Sequence, residues 1–202
     1  RSSEILPHFI ELLKDKDPEI RLESVITIPS FRTDKRTAQI LISLLNDNDI
    51  QIKNSALNGL GRIKAKIAIP DILLLTKDTN KDIRQDAYYA LERIGYSELA
   101  VILLKDLKES SYKKEDYNTL IEILGRLKDN RVLPYLFNSA RSKDSKERSS
   151  AINALRNFND ERIKPIIIEA LKCPDFDIQW SALLHVEKSN DKSFVPQLLD
   201  LL

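Results

Sequence analysis

Ile83-Arg84-Gln85-Asp86-Ala87-Tyr88-Tyr89-Ala90-Leu91 is the stretch whose reading decides the fold. Its apolar residues at 83, 87 and 91, continued by Ile94, fall on one stripe at about 100° per residue, as on an amphipathic helix. Three residues before Ile83 stands Asn80, a short side-chain acceptor suited to the free amides of a first helical turn. The stretch therefore predicts one capped helix with a single apolar face.

The same stripe recurs along the chain. Ile20-Arg21, Ile52-Lys53, Ile83-Arg84, Asp116-Tyr117, Glu147-Arg148 and Ile178-Gln179 are equivalent pairs, spaced by 32, 31, 33, 31 and 31 residues. Four residues after each first member stand Ser24, Ala56, Ala87, Leu120, Ala151 and Ala182. Eight after it stand Ile28, Leu60, Leu91, Leu124, Leu155 and Val186, and eleven after it Phe31, Ile63, Ile94, Leu127, Phe158 and Ser189. We call this segment helix B. Its cap position holds Asp17, Asp49, Asn80, Lys113, Asp144 and Asp175, so only Lys113 lacks a short acceptor. Thirteen residues before the pairs come Pro7, Pro70, Pro134 and Pro165, and Pro196 takes the same place in a further unit. Each opens an apolar segment, helix A, at a position where a missing amide proton costs nothing.

Fixed self-similarity of this length is the signature of a helical-repeat array. The D-P-E-I-R of residues 17–21, the I-R-x-x-A-x-x-A-L of residues 83–91 and the proline-led first helices resemble the HEAT family, in its short bacterial form also found in phycobilisome-lyase-like proteins. Ankyrin and tetratricopeptide signatures are absent. The expected fold is all-α, an α-solenoid of antiparallel helix pairs with about six and a half repeats along 1–202, at 5–31, 36–64, 68–95, 99–128, 131–159, 162–190 and a partial 193–202. The fourth unit departs most, with Asp116 in an apolar slot, and a local kink or wider step is expected there.

Composition limits the function. Thirty-two Lys and Arg against 31 Asp and Glu leave a net charge of +1, so any electrostatic specificity must be local. No apolar run approaches the ~20 residues that cross a bilayer. One cysteine, Cys173, allows no internal disulfide, which with the lack of a leader sequence favours the cytoplasm. Met is absent even at position 1, which suggests a processed product or part of a longer chain. His8 and His185 stand in different units without metal-ligand spacing, and no phosphate loop forms among four glycines, of which Gly59, Gly61 and Gly125 lie inside helix B and suit close packing. No metal, cofactor or catalytic constellation is expected.

The resemblance implies that the B helices line a concave face. Residues two, six and nine after each pair should then point outward: Leu22, Ile26, Pro29; Asn54, Asn58, Gly61; Gln85, Tyr89, Glu92; Asn118, Glu122, Gly125; Ser149, Asn153, Arg156; and Trp180, Leu184, Glu187. Asn54, Asn58, Asn118 and Asn153 suit the main chain of an extended peptide, or are simply tolerated on a wet face. Arg62, Arg93 and Arg126 recur ten residues after their pairs, with Arg156 one place off. They form a ladder for carboxylates or phosphates, or else neutralise helix C-termini. Trp180 with Leu184 offers an apolar anchor, unless a neighbour covers it.

These residues predict a non-catalytic scaffold for a protein or extended, acidic peptide, with no membrane partner. The alternatives are a nucleic-acid-binding repeat protein of DNA-repair type and, as the lyase-like resemblance implies, a chromophore-lyase-like subunit or chaperone. Leu198, Leu199, Leu201 and Leu202 sit in a final helix A without its partner, so that end is expected to continue or associate.

Overall fold

A computed structural model describes residues 2–109 and 111–199, and these form thirteen α-helices with no strand among them. The helices alternate as A and B. They are α1 (Ser2–Leu12), α2 (Pro18–Thr27), α3 (Arg36–Leu44), α4 (Ile50–Arg62), α5 (Ile69–Leu75), α6 (Lys81–Ile94), α7 (Leu99–Glu109), α8 (Tyr117–Leu127), α9 (Leu133–Ser139), α10 (Ser145–Leu155), α11 (Ile163–Leu171), α12 (Phe176–Ser189) and α13 (Val195–Leu199). Leu201 and Leu202 lie outside the described residues. The chain forms two compact units, Arg1–Leu99 and Ala100–Leu202.

In the first unit α2 packs on α4 and α4 on α6; in the second, α8 packs on α10 and α10 on α12. Every residue four or eight places after the B-helix pairs is buried, from Ser24 and Ile28 to Ala182 and Val186. Leu6, Leu41, Ile72, Leu103, Leu136 and Ile167 supply a fully buried side chain from each of the first six A helices. Each buried leucine or isoleucine contributes about 2 kcal/mol, and a pair of ~30 residues alone is too small to enclose such a stripe.

The capping expectation holds in detail. Asp17, Asp49, Asn80, Asp144 and Asp175 accept amide hydrogen bonds at the N-termini of α2, α4, α6, α10 and α12. Lys113 makes no such bond; the fourth pair instead enters through a 3-10 turn at Lys114–Asp116, so α8 starts late. The late start is a departure in helix entry, whereas the expectation was of a kink or a wider step. Asp116 is buried in its apolar slot.

Pro70, Pro134 and Pro196 stand at the second residue of α5, α9 and α13. Pro7 is different. It lies inside α1, because Ser2-Ser3-Glu4 extend that helix by a further turn.

A second correction concerns the ninth position. Pro29, Gly61 and Gly125, expected to face outward, are buried between adjacent B helices. A methyl group on Gly125 would lie 2.7 Å from Ala154 Cβ and 3.1 Å from its Cα. On Gly61 it would lie 3.3 Å from Ala90 Cα. Absence of a side chain lets the helix backbones approach each other.

The connections are closed by local bonds. Arg21 donates to the carbonyls of Asp15 and Lys16 at 2.8 and 3.2 Å, tying the A-to-B turn to α2. Arg84, only 1% exposed, makes the same pair to Asp78 and Thr79 at 3.0 and 2.9 Å. The B-to-A turns use an aspartate two residues before an arginine: Asp34 with Arg36, Asp129 with Arg131, Asp160 with Arg162. Each aspartate accepts both the amide and the guanidinium of its arginine. Those bonds hold the Asp34 and Asp160 carboxyls down at about 2.

Candidate functional site

In the second unit, the outward stripe of α8 runs Asn118, Glu122, Arg126, one helical turn between each. At its C-terminal end Arg126 joins Asn153, Arg156 and Asn157 of α10 and its C-terminus, and Lys188 of α12, around an open cavity of about 300 Å³. Three cations and one carboxylate, Glu122, leave this cavity with a local charge of +2. Arg126 pairs with Glu122 at 2.6 Å, an i,i+4 bridge that holds its guanidinium over the cavity. Lys188 donates to Asn157 Oδ1 at 2.8 Å. The Arg156 Nε is buried without a hydrogen-bond partner in the protein. These groups also sit where the C-terminal carbonyls of three helices favour positive charge.

His185 lies beside this cluster, 8% exposed, with Nδ1 lacking a protein partner. Burial, with the Arg156 and Lys188 cations, pushes its imidazole down to about 4. It is therefore neutral near pH 7.

At the N-terminal end of the same stripe the chemistry reverses. Tyr112, Tyr117, Asn118, Asn138, Asp144, Glu147 and Lys114 surround a cavity of about 290 Å³. The two tyrosine rings lie 5.5 Å apart, and the Tyr117 hydroxyl shares a short hydrogen bond with Ser139 Oγ. Burial and the Glu147 charge raise both phenols, with the Ser139 bond opposing this at Tyr117. This notch exists where the fourth pair has replaced its N-cap by the 3-10 turn.

The first unit carries a smaller version of the ladder. Asn58 and Arg62 share a notch of about 100 Å³ with Ile26, Pro29, Ser55 and Gly59. Arg93 donates to Asn58 Oδ1 at 3.0 Å, joining α6 to α4 across the B-helix face. Asn54 and Tyr89 are half-buried on that face, and the Asn54 Oδ1 lacks a partner. In the second unit Trp180 is 52% exposed, stacked on Phe176 at 6.1 Å and 11°. Leu184 is half-buried. The exposed aromatic pair thus runs towards Phe176, a partner the sequence reading passed over.

Lys188 and Asn157 were also missed, although they occupy the tenth place after their pairs, in register with Arg62, Arg93 and Arg126. Following register rather than residue type would have found them. Among the described residues no group of three or more His, Cys, Asp or Glu could hold a metal ion. No helix among them is long and apolar enough to cross a membrane.

Comparisons with known proteins converge on the repeat. Models described as HEAT repeat, HEAT repeats and PBS lyase HEAT-like repeat match residues 5–31, 38–118 and 147–173. Protein YibA of Escherichia coli strain K12 is 32% identical over 84 residues, 41% of this chain and 29% of its own length. Among solved structures, the complex of CpcE and CpcF of phycocyanin lyase from Nostoc sp. PCC7120 is similar with TM-score 0.65. That match has 16% identity and covers 95% of this chain and 79% of that one. An engineered protein is similar with TM-score 0.53 and 17% identity, covering 92% and 96%.

Proposed function

Since the chain is a HEAT-repeat protein, we propose that it is a binding module whose outward B-helix face takes an acidic segment of a protein partner at Arg126, Arg156 and Lys188. The observation that carries this is the +2 cavity at the C-terminal ends of α8, α10 and α12. Arginine offers a planar fork that matches a carboxylate, and Asn153 and Asn157 add groups able to meet a peptide main chain. In the first unit, taken by itself, Arg62 and Arg93 with Asn54, Asn58 and Tyr89 present a comparable cationic and polar set. Trp180 and Phe176 supply an exposed aromatic anchor. No residue of the face is assigned to bond-making chemistry.

The test is direct. A fluorescein-labelled Gly/Ser peptide bearing two adjacent glutamates is titrated with the protein and followed by anisotropy at two salt concentrations. The reading expects binding that weakens with salt, and about a tenfold loss in the Arg126→Gln/Arg156→Gln/Lys188→Gln variant, which keeps the side-chain stems. Unchanged affinity in that variant overturns it. Tight, sequence-tolerant binding to duplex DNA, lost steeply with salt, would transfer the face to nucleic acid.

A second reading draws on the PBS lyase HEAT-like unit and the fold likeness to the CpcE–CpcF complex. In it the chain is a lyase-like subunit working with a partner chain. Co-elution with phycocyanin on size exclusion would favour it.

A further inference from the structure

The two cavities of the second unit share one helix stripe and carry opposite charge. Asn118 lines the tyrosine notch, while Glu122 and Arg126, one and two turns further along α8, line the basic cavity. On α10 the same polarity holds, with Asp144 and Glu147 at its N-terminal end and Asn153 and Arg156 at the other. We propose that this stripe is a bipolar groove for an extended peptide carrying a basic side chain four residues from an acidic one. The assignment rests on the acidic-segment reading above and specifies the second half of the ligand.

The tyrosine notch suits a guanidinium or ammonium group. The Tyr112 and Tyr117 rings form an aromatic wall, and a cation near such faces is attracted by their quadrupoles. Asp144 Oδ1 accepts the Glu147 amide at 2.8 Å, and Glu147 Oε2 accepts the Ser142 hydroxyl at 2.9 Å. Each carboxylate keeps its other oxygen outside these bonds. With Lys114 as the one cation in the lining, two acids leave a local charge of −1. The Asn118 and Asn138 side chains complete a polar floor able to accept N–H groups.

Spacing follows from helix geometry. Asn118 to Arg126 spans eight residues, about 12 Å at 1.5 Å per residue. An extended peptide covers about 13 Å in four residues, which places a basic residue in the notch when its acidic residue sits at Arg126 and Lys188. Neither cavity alone encodes this distance.

The experiment compares three labelled Gly/Ser peptides by anisotropy: one with the glutamate pair alone, one with an added arginine four residues away, one with the arginine adjacent. The four-residue spacing should bind about tenfold more tightly than either other peptide. In the Asp144→Asn/Glu147→Gln variant, whose caps keep an oxygen acceptor, that gain should vanish while affinity for the glutamate-only peptide stays the same. Equal binding of the glutamate-only and four-residue peptides overturns the bipolar groove alone. So does a gain that survives in the variant. Failure of the glutamate-only peptide to bind overturns the acidic-segment reading, and this one with it.

Discussion

Replacing Gly125 by alanine tests how closely the B helices are packed. In a free helix that change stabilises by about 1 kcal/mol, since glycine is a poor helix former. Here the new methyl would sit 2.7 Å from Ala154 Cβ and 3.1 Å from Ala154 Cα, where carbon atoms prefer about 3.5–4 Å. No side-chain rotation relieves a clash with a Cα, so α8 and α10 must part. Overpacking of this kind costs about 1–3 kcal/mol, and taking its upper half against the propensity gain leaves a net loss of about 1.5 kcal/mol. Adding Ala154→Gly removes the nearest atom, so the pair should couple favourably by about 1 kcal/mol in a double-mutant cycle. The assay is urea unfolding followed through Trp180, the only tryptophan, which lies in the same compact unit. A Gly125→Ala protein as stable as the parent, or more stable, would refute the close approach, as would strictly additive effects in the cycle.

Three further outcomes follow from buried and paired groups. His185 holds its imidazole at about 4 against 6.5 unfolded, so the unfolded chain takes the proton first; stability is full above pH 6.5 and falls as pH drops towards 4. By pH 4.5 this amounts to about 2.5 kcal/mol, and His185→Gln should flatten that part of a pH series of chemical melts. Arg84→Met removes the donor to two turn carbonyls and should cost about 2–3 kcal/mol in urea midpoint terms, whereas methionine at exposed Arg93 should cost far less. Asp34 and Asp160, held at about 2 by their arginines, contribute stability present above about pH 4 that is lost as pH falls through 2. Asp34→Asn with Asp160→Asn should therefore show a shallower acid limb by circular dichroism.

The helices and their caps could be read in advance because both signals are local. A stripe repeating at four and eight places, and an acceptor three residues ahead of it, need nothing beyond the segment itself. At the ninth position two signals disagree, since glycine inside helix B suits close packing while the helical period points outward. Helical period puts Pro29, Gly61 and Gly125 off the apolar stripe, but period alone does not distinguish water from a neighbouring helix; their small or rigid side chains carried that information. At the basic cavity, residue type outweighed register. Arg156 drew attention one place away from Asn157 and Lys188, which hold the ladder position. The tyrosine notch arises from a lost cap at Lys113, an absence whose effect appears only once α8 starts late.

The aspartate–arginine clasps at the B-to-A turns close within three residues, and the arginine ties at the A-to-B turns within seven. Each of these bonds joins residues of a single turn. Deleting or duplicating a whole helix pair by gene rearrangement would carry these local bonds along intact. A change in array length is thus compatible with these turns, while the two opposed cavities, which draw on three successive pairs, exist only where those three stand together.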